Sequence, residues 1–89
     1  MARIDVATRE QGDGWVAVVT VHDATTTRHT VRVSRDERAR FGGGGVADLV
    51  RRSFEFLLAR EPNTQVLGEF SLSTIERYFS DYGDAIRGQ

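Results

Sequence analysis

From Val46 to Leu58 the apolar residues return at helical spacing. Val46, Leu49, Val50, Ser53, Phe54, Leu57 and Leu58 fall on one face, and Asp48, Arg51, Arg52 and Glu55 on the other. A helix this amphipathic must lay its stripe against another layer, which commits the chain to a packed domain. Asp48–Arg52 and Arg51–Glu55 add i,i+4 support. Pro62 forbids continuation, so the main helix is expected over residues 46–61. Ser73-Thr-Ile-Glu76 then has the form of a capping box. It opens a second helix over residues 73–82, with Ile75, Tyr78, Phe79 and Tyr82 at helical spacing. Upstream, Ser34-Arg-Asp-Glu37 carries the same signature and predicts a short helix over residues 34–41. Gly42–Gly45 ends that helix as a joint. Residues 65–70 fit either a short strand or an irregular segment.

Residues 1–33 read at the other period. Ile4 and Val6 alternate with polar neighbours, giving a first strand from about Ala2 to Arg9. Gln11-Gly-Asp-Gly14 supplies a turn, with glycines able to take positive φ. Residues 15–21 are rich in β-branched residues and apolar on both faces, as a central buried strand would be. Beyond the connection Asp23–Thr27, residues 29–33 alternate, with Val31 and Val33 inward and Thr30 and Arg32 outward. The sum is an α+β domain: a three-stranded antiparallel meander with its second strand central, then three helices packed on one face.

Eighty-nine residues make one domain near the lower limit of independent stability, a size that often gains by dimerising or docking. A hydrophobic fraction of 39% argues against disorder. No apolar run approaches the roughly 20 residues of a membrane helix. The start Met-Ala-Arg-Ile-Asp-Val lacks an apolar signal core, so the expected compartment is the cytoplasm. Without cysteine there is no disulfide, thiolate nucleophile or sulfur-ligated metal. Twelve basic residues, all arginine, face thirteen acidic ones, and no segment forms a strongly basic footprint.

Residues with chemical potential are scattered. Gly42–Gly45 suggests a phosphate loop, but a Walker loop continues Gly-Lys-Ser/Thr, whereas Val46-Ala-Asp48 follows here. A helix–helix joint explains the glycines better. His22 and His29 flank the Thr-rich turn, and zinc wants three or four protein ligands. Both histidines are therefore expected exposed, at strand ends. Ser53 on the apolar stripe permits close packing, and no nucleophile–base pair can be named, so no catalytic, metal or cofactor role is expected. Glu69, Glu76, Asp81 and Asp84 read as a solvated face. Phe56 lies off the main stripe and needs cover, from the last helix or from another chain.

Two resemblances enter here. Ser53-Phe-Glu-Phe-Leu-Leu-Ala-Arg-Glu-Pro62, Val66-Leu67 and Phe70-Ser-Leu-Ser-Thr-Ile-Glu-Arg-Tyr-Phe79 together resemble the C-terminal half of a group of short uncharacterised bacterial proteins. No activity comes with that likeness. Ser80 stands where that group usually has proline, which implies a slightly longer last helix. More distantly, the order His29–Ser34, short helix, glycine break, Leu49–Phe54 resembles a ribbon-helix-helix repressor. That fold dimerises through a two-stranded ribbon whose side chains read the major groove, which would make Arg28, Thr30 and Arg32 the readers. The expectation is a non-catalytic binding or regulatory module engaging a protein partner or a second copy of itself. Phe56, Tyr78 and Tyr82 are its candidate contacts, and a nucleic-acid-binding repressor or antitoxin-like protein is the alternative.

Overall fold

The structure, a computed structural model, describes residues 2–42 and 44–88. Gly43, inside the expected glycine joint, lies outside the described residues. The elements are β1 (Arg3–Gln11), β2 (Gly14–His22), β3 (Thr27–Val33), α1 (Arg35–Phe41), α2 (Val46–Leu58), β4 (Glu69–Ser71), α3 (Leu72–Tyr78) and α4 (Tyr82–Arg87), with a 3-10 turn at Asn63–Gln65. Among the described residues the sheet has four strands in the order β1-β2-β3-β4. The expected meander forms its first three. β4 settles the open reading of residues 65–70 by pairing parallel to β3, Val31 opposite Phe70.

The β1–β2 hairpin needs both glycines of its turn, for different reasons. Gly12 sits at φ 59°, ahead of Asp13, the arrangement of a type II′ turn. Gly14 has an ordinary φ, but a Cβ there would run into the carbonyl oxygen of Val33. Glycine lets β2 begin tight against the end of β3.

One sheet face is covered. Ala17, Val19, Val21, Val31 and Val33 are at most 2% exposed and meet Val50, Phe54 and Leu57 of α2 in one core. The other face is open to solvent, and there the reading of β2 as buried on both sides is corrected: Val18 is 37% exposed. β2 is central in the sheet, yet helices cover only one side of it.

α1 starts as its sequence predicts, with both halves of the Ser34–Glu37 capping box formed. α3 does not. It begins at Leu72 rather than Ser73, because β4 runs into it directly and Leu72 is fully buried. The Ser73 N–H is capped instead by Glu37 from α1, at 2.8 Å, while Glu76 pairs with Arg40 at 3.2 Å. The expected single helix over 73–82 is two. Phe79 leaves the helix at φ −132°, ψ 93°, and α4 restarts at Tyr82, so Ser80 in place of proline does not extend α3. The break turns the Phe79 ring edge-on to Phe56, with centroids 5.9 Å apart, and brings α4 against α1, α2 and α3.

Candidate functional site

Phe56 and Tyr82, two of the three nominated contact residues, are core residues. Phe56 is 5% exposed, and Tyr82 packs on it edge-on at 5.3 Å and on Phe41 at 5.0 Å. The Arg60 guanidinium covers the remaining side of Phe56 at 3.6 Å from the ring centre and is held there by Asp81. The terminal aromatic segment of the same chain therefore supplies the cover that Phe56 requires. Tyr82 also satisfies the buried Ser53 hydroxyl. Ser53 Oγ–H donates to the Leu49 carbonyl (2.8 Å), so the Tyr82 phenol must donate to Ser53 Oγ (2.6 Å). Burial pushes that phenol up to about 12.

Tyr78 is different. The last residue of α3, it is 70% exposed and stands on the wall of an apolar groove of about 340 Å³. The floor is Leu57 of α2, Val66, Phe70 of β4 and Ile75 of α3, each at most 8% exposed. Leu67, 47% exposed, stands with Tyr78 on the rim, and Glu61, Gln65 and Thr74 supply the polar edge. A groove of this size is at the small end of the range for ligand sites.

The Leu67 side of the rim is fixed by a buried polar chain. His29 is 2% exposed, a correction to its expected exposure: it alternates in step with Val31 and Val33 and so points inward. Its Nδ1–H donates to the Leu67 carbonyl at 2.7 Å, since a carbonyl can only accept. In the neutral ring Nε2 then accepts from the Thr27 hydroxyl (2.8 Å), which in turn accepts from Asn63 Nδ2 (2.9 Å). With the Thr30 N–H bonded to the Gly68 carbonyl (2.8 Å), residues 63–68 are stitched to β3. Drawing the Leu67 carbonyl inward leaves its side chain on the groove rim. His22 lies on the opposite sheet face, with Nε2 2.9 Å from Asp5, so the register separates the two histidines. Among the described residues no group of three or more His, Asp or Glu side chains is placed to hold a metal.

A second concavity, of about 540 Å³, lies where β3 and β4 run into α1 and α3, with Trp15, Arg32, Arg40 and Ser71 in its lining. Parallel strands feeding helices leave backbone amides pointing into such a crevice. Here Glu37 fills the role of the anion: Oε1 accepts from the Ser34 N–H and Oε2 from the Ser73 N–H, both at 2.8 Å. Burial pushes its carboxyl up, but these hydrogen bonds outweigh burial and hold it below the ordinary 4.5. Both displaced titrations, of Glu37 and Tyr82, thus have structural causes.

Arg28, Thr30 and Arg32 line up on the open sheet face, and Arg32 is held by Glu69 at 2.7 Å. β3 is flanked by β2 on one side and β4 on the other. β4 occupies its second edge over Thr30–Arg32. Among the described residues no helix is long and apolar enough to cross a membrane. No protein-family model matches the chain, and no curated protein or solved structure is similar enough to it to count as a match.

Proposed function

We propose that this chain is a non-catalytic protein-interaction module whose working surface is the groove between α2, residues 65–67 and α3. One observation carries the reading. Leu67 and Tyr78, two of the few large apolar side chains left exposed, flank the same apolar floor. A scattered exposed leucine needs no explanation, whereas a pair framing a concavity has the anatomy of an interface anchor pocket. The occupant that fits is a short protein segment with one or two bulky apolar side chains and a basic residue to meet Glu61 at the rim. Selection of a displayed random-peptide library on the purified chain tests this. Apolar peptides with a basic flank should emerge, and amide shifts in an NMR titration should cluster at residues 61–79. Leu67→Ser with Tyr78→Ala should weaken binding roughly a hundredfold if both are anchors. Peptides that bind equally well to that variant would remove the groove from consideration.

The nucleic-acid alternative draws on Arg28, Thr30 and Arg32 sharing the open sheet face. It predicts DNA or RNA binding that falls steeply with salt and weakens when Arg28 and Arg32 are replaced. Absence of binding at low salt would eliminate it. The groove reading is preferred because Arg32 is already ion-paired, and the aromatic Trp15 lies near α1, with the guanidinium groups of Arg35 and Arg38 at 5.2 and 5.5 Å from its ring, not on the open face.

A further inference from the structure

β1 is a nine-residue edge strand that pairs with β2 in unbroken register, Arg3 opposite His22 through Gln11 opposite Gly14. It holds no proline, lysine or bulge, and its edge protection is limited to the charges of Arg3, Asp5, Arg9 and Glu10. Residues flanking a two-residue hairpin turn form a hydrogen-bonded pair, so the odd-numbered residues of β1 bond to β2. Ile4, Val6, Thr8 and Glu10 then direct their N–H and C=O groups to the free edge. The Arg51 guanidinium, donating to the Ile4 carbonyl, agrees with that phase.

We propose that this edge pairs antiparallel with the same edge of a second copy, joining two sheets into one of eight strands about a two-fold axis through Ala7. The register follows from charge. With Ala7 opposite Ala7, the full strand overlaps and Asp5 of each copy faces Arg9 of the other, twice, on the open sheet face. Centring on Val6 sets Arg3 against Arg9, centring on Asp5 sets two aspartates together, and centring on Thr8 shortens the overlap and leaves Asp5 without Arg9. The full-overlap register is therefore also the charge-complementary one.

The helix side of the edge agrees. In the same register Glu10 of the second copy lies opposite Ile4, beside Arg51. Arg51 can release the Ile4 carbonyl to the incoming Glu10 N–H and pair with the Glu10 carboxylate instead. Asp5 already meets His22 Nε2 at 2.9 Å and Arg3 at 3.6 Å, and a carboxylate with about four acceptor sites has room for Arg9 as well. This interface is separate from the groove and stands or falls without it.

Sedimentation equilibrium of the full chain from about 1 μM to about 1 mM tests the pairing, with circular dichroism to check folding, because a lone strand-pair interface is small and its affinity modest. The wild type should dimerise within that range. Asp5→Arg and Arg9→Asp should each weaken dimerisation roughly tenfold, since each sets like charges opposite. An equimolar mixture of the two variants should recover it as a heterodimer, visible by native mass spectrometry. Thr8→Pro deletes only an edge-facing donor and should leave a folded monomer. A wild-type chain that stays monomeric throughout, a folded Thr8→Pro chain that still dimerises, or a mixture no tighter than its components would each overturn the proposal.

Discussion

Glu37→Ala is expected to destabilise the fold by about 3 kcal/mol, because one carboxylate satisfies two helix starts. Its Oε1 holds the Ser34 N–H at the head of α1, and its Oε2 holds the Ser73 N–H at the head of α3, in a site where the residue is only 9% exposed. Each partly buried amide left without an acceptor costs about 1–3 kcal/mol. For a domain of this length the loss should appear as a fall in Tm of roughly 15 °C, measured by thermal denaturation. Glu76→Ala is the control. Its pair with Arg40 at 3.2 Å joins two side chains 40% or more exposed, and its loss should cost under about 1 kcal/mol.

The pH dependence follows in sign. The folded state holds the Glu37 carboxyl below 4.5, so folding favours the carboxylate, and its contribution is fully present above the ordinary value. It disappears as pH falls through the folded value. The stability gap between wild type and Glu37→Gln should thus be constant near neutrality and should close progressively below about pH 4.5. A gap that widened in acid would mean the carboxylate is not what caps these helices.

The fold is legible wherever a local rule acts alone. Ser34 and Glu37 form the cap their spacing announces, the period-2 stretches became β1 to β3, and the stripe of α2 lies on the sheet. Legibility fails where a long-range partner outcompetes the local one. Ser73 and Glu76 also match the capping pattern, but Glu37, 36 residues earlier, takes the Ser73 amide first. The parallel partner of β4 cannot be read from three residues, because its register is set by β3 and by the bond from Thr30 to Gly68. His29 was readable in principle. Strand parity places it with Val31 and Val33, and only its polarity suggested exposure, a cost that Leu67, Thr27 and Asn63 remove. Of the groove, Tyr78 was named in the sequence, but its helical spacing set it with Ile75, Phe79 and Tyr82 and did not separate the exposed residue from the buried ones. Leu67 was not legible, since its outward turn follows from where its carbonyl is tied.

Phe56→Ala should cost about 3–5 kcal/mol, the range for a buried aromatic, and for a domain this small that approaches global unfolding. The cavity would open between α2 and the terminal segment, freeing Tyr82, Phe79 and the Arg60–Asp81 pair together. Tyr78→Ala, three residues on from the buried Ile75 but solvent-facing, should change stability by less than about 0.5 kcal/mol. The contrast separates two roles that look alike in the sequence, where both residues read as aromatic candidate contacts. Calorimetry should show Phe56→Ala melting far below wild type and Tyr78→Ala melting with wild type, whereas peptide binding to the proposed groove should weaken roughly tenfold for Tyr78→Ala despite its intact fold. If Tyr78→Ala instead lost stability while retaining full peptide binding, Tyr78 would belong to the packing of α3, and the proposed docking role of the groove would lose one of its two rim residues.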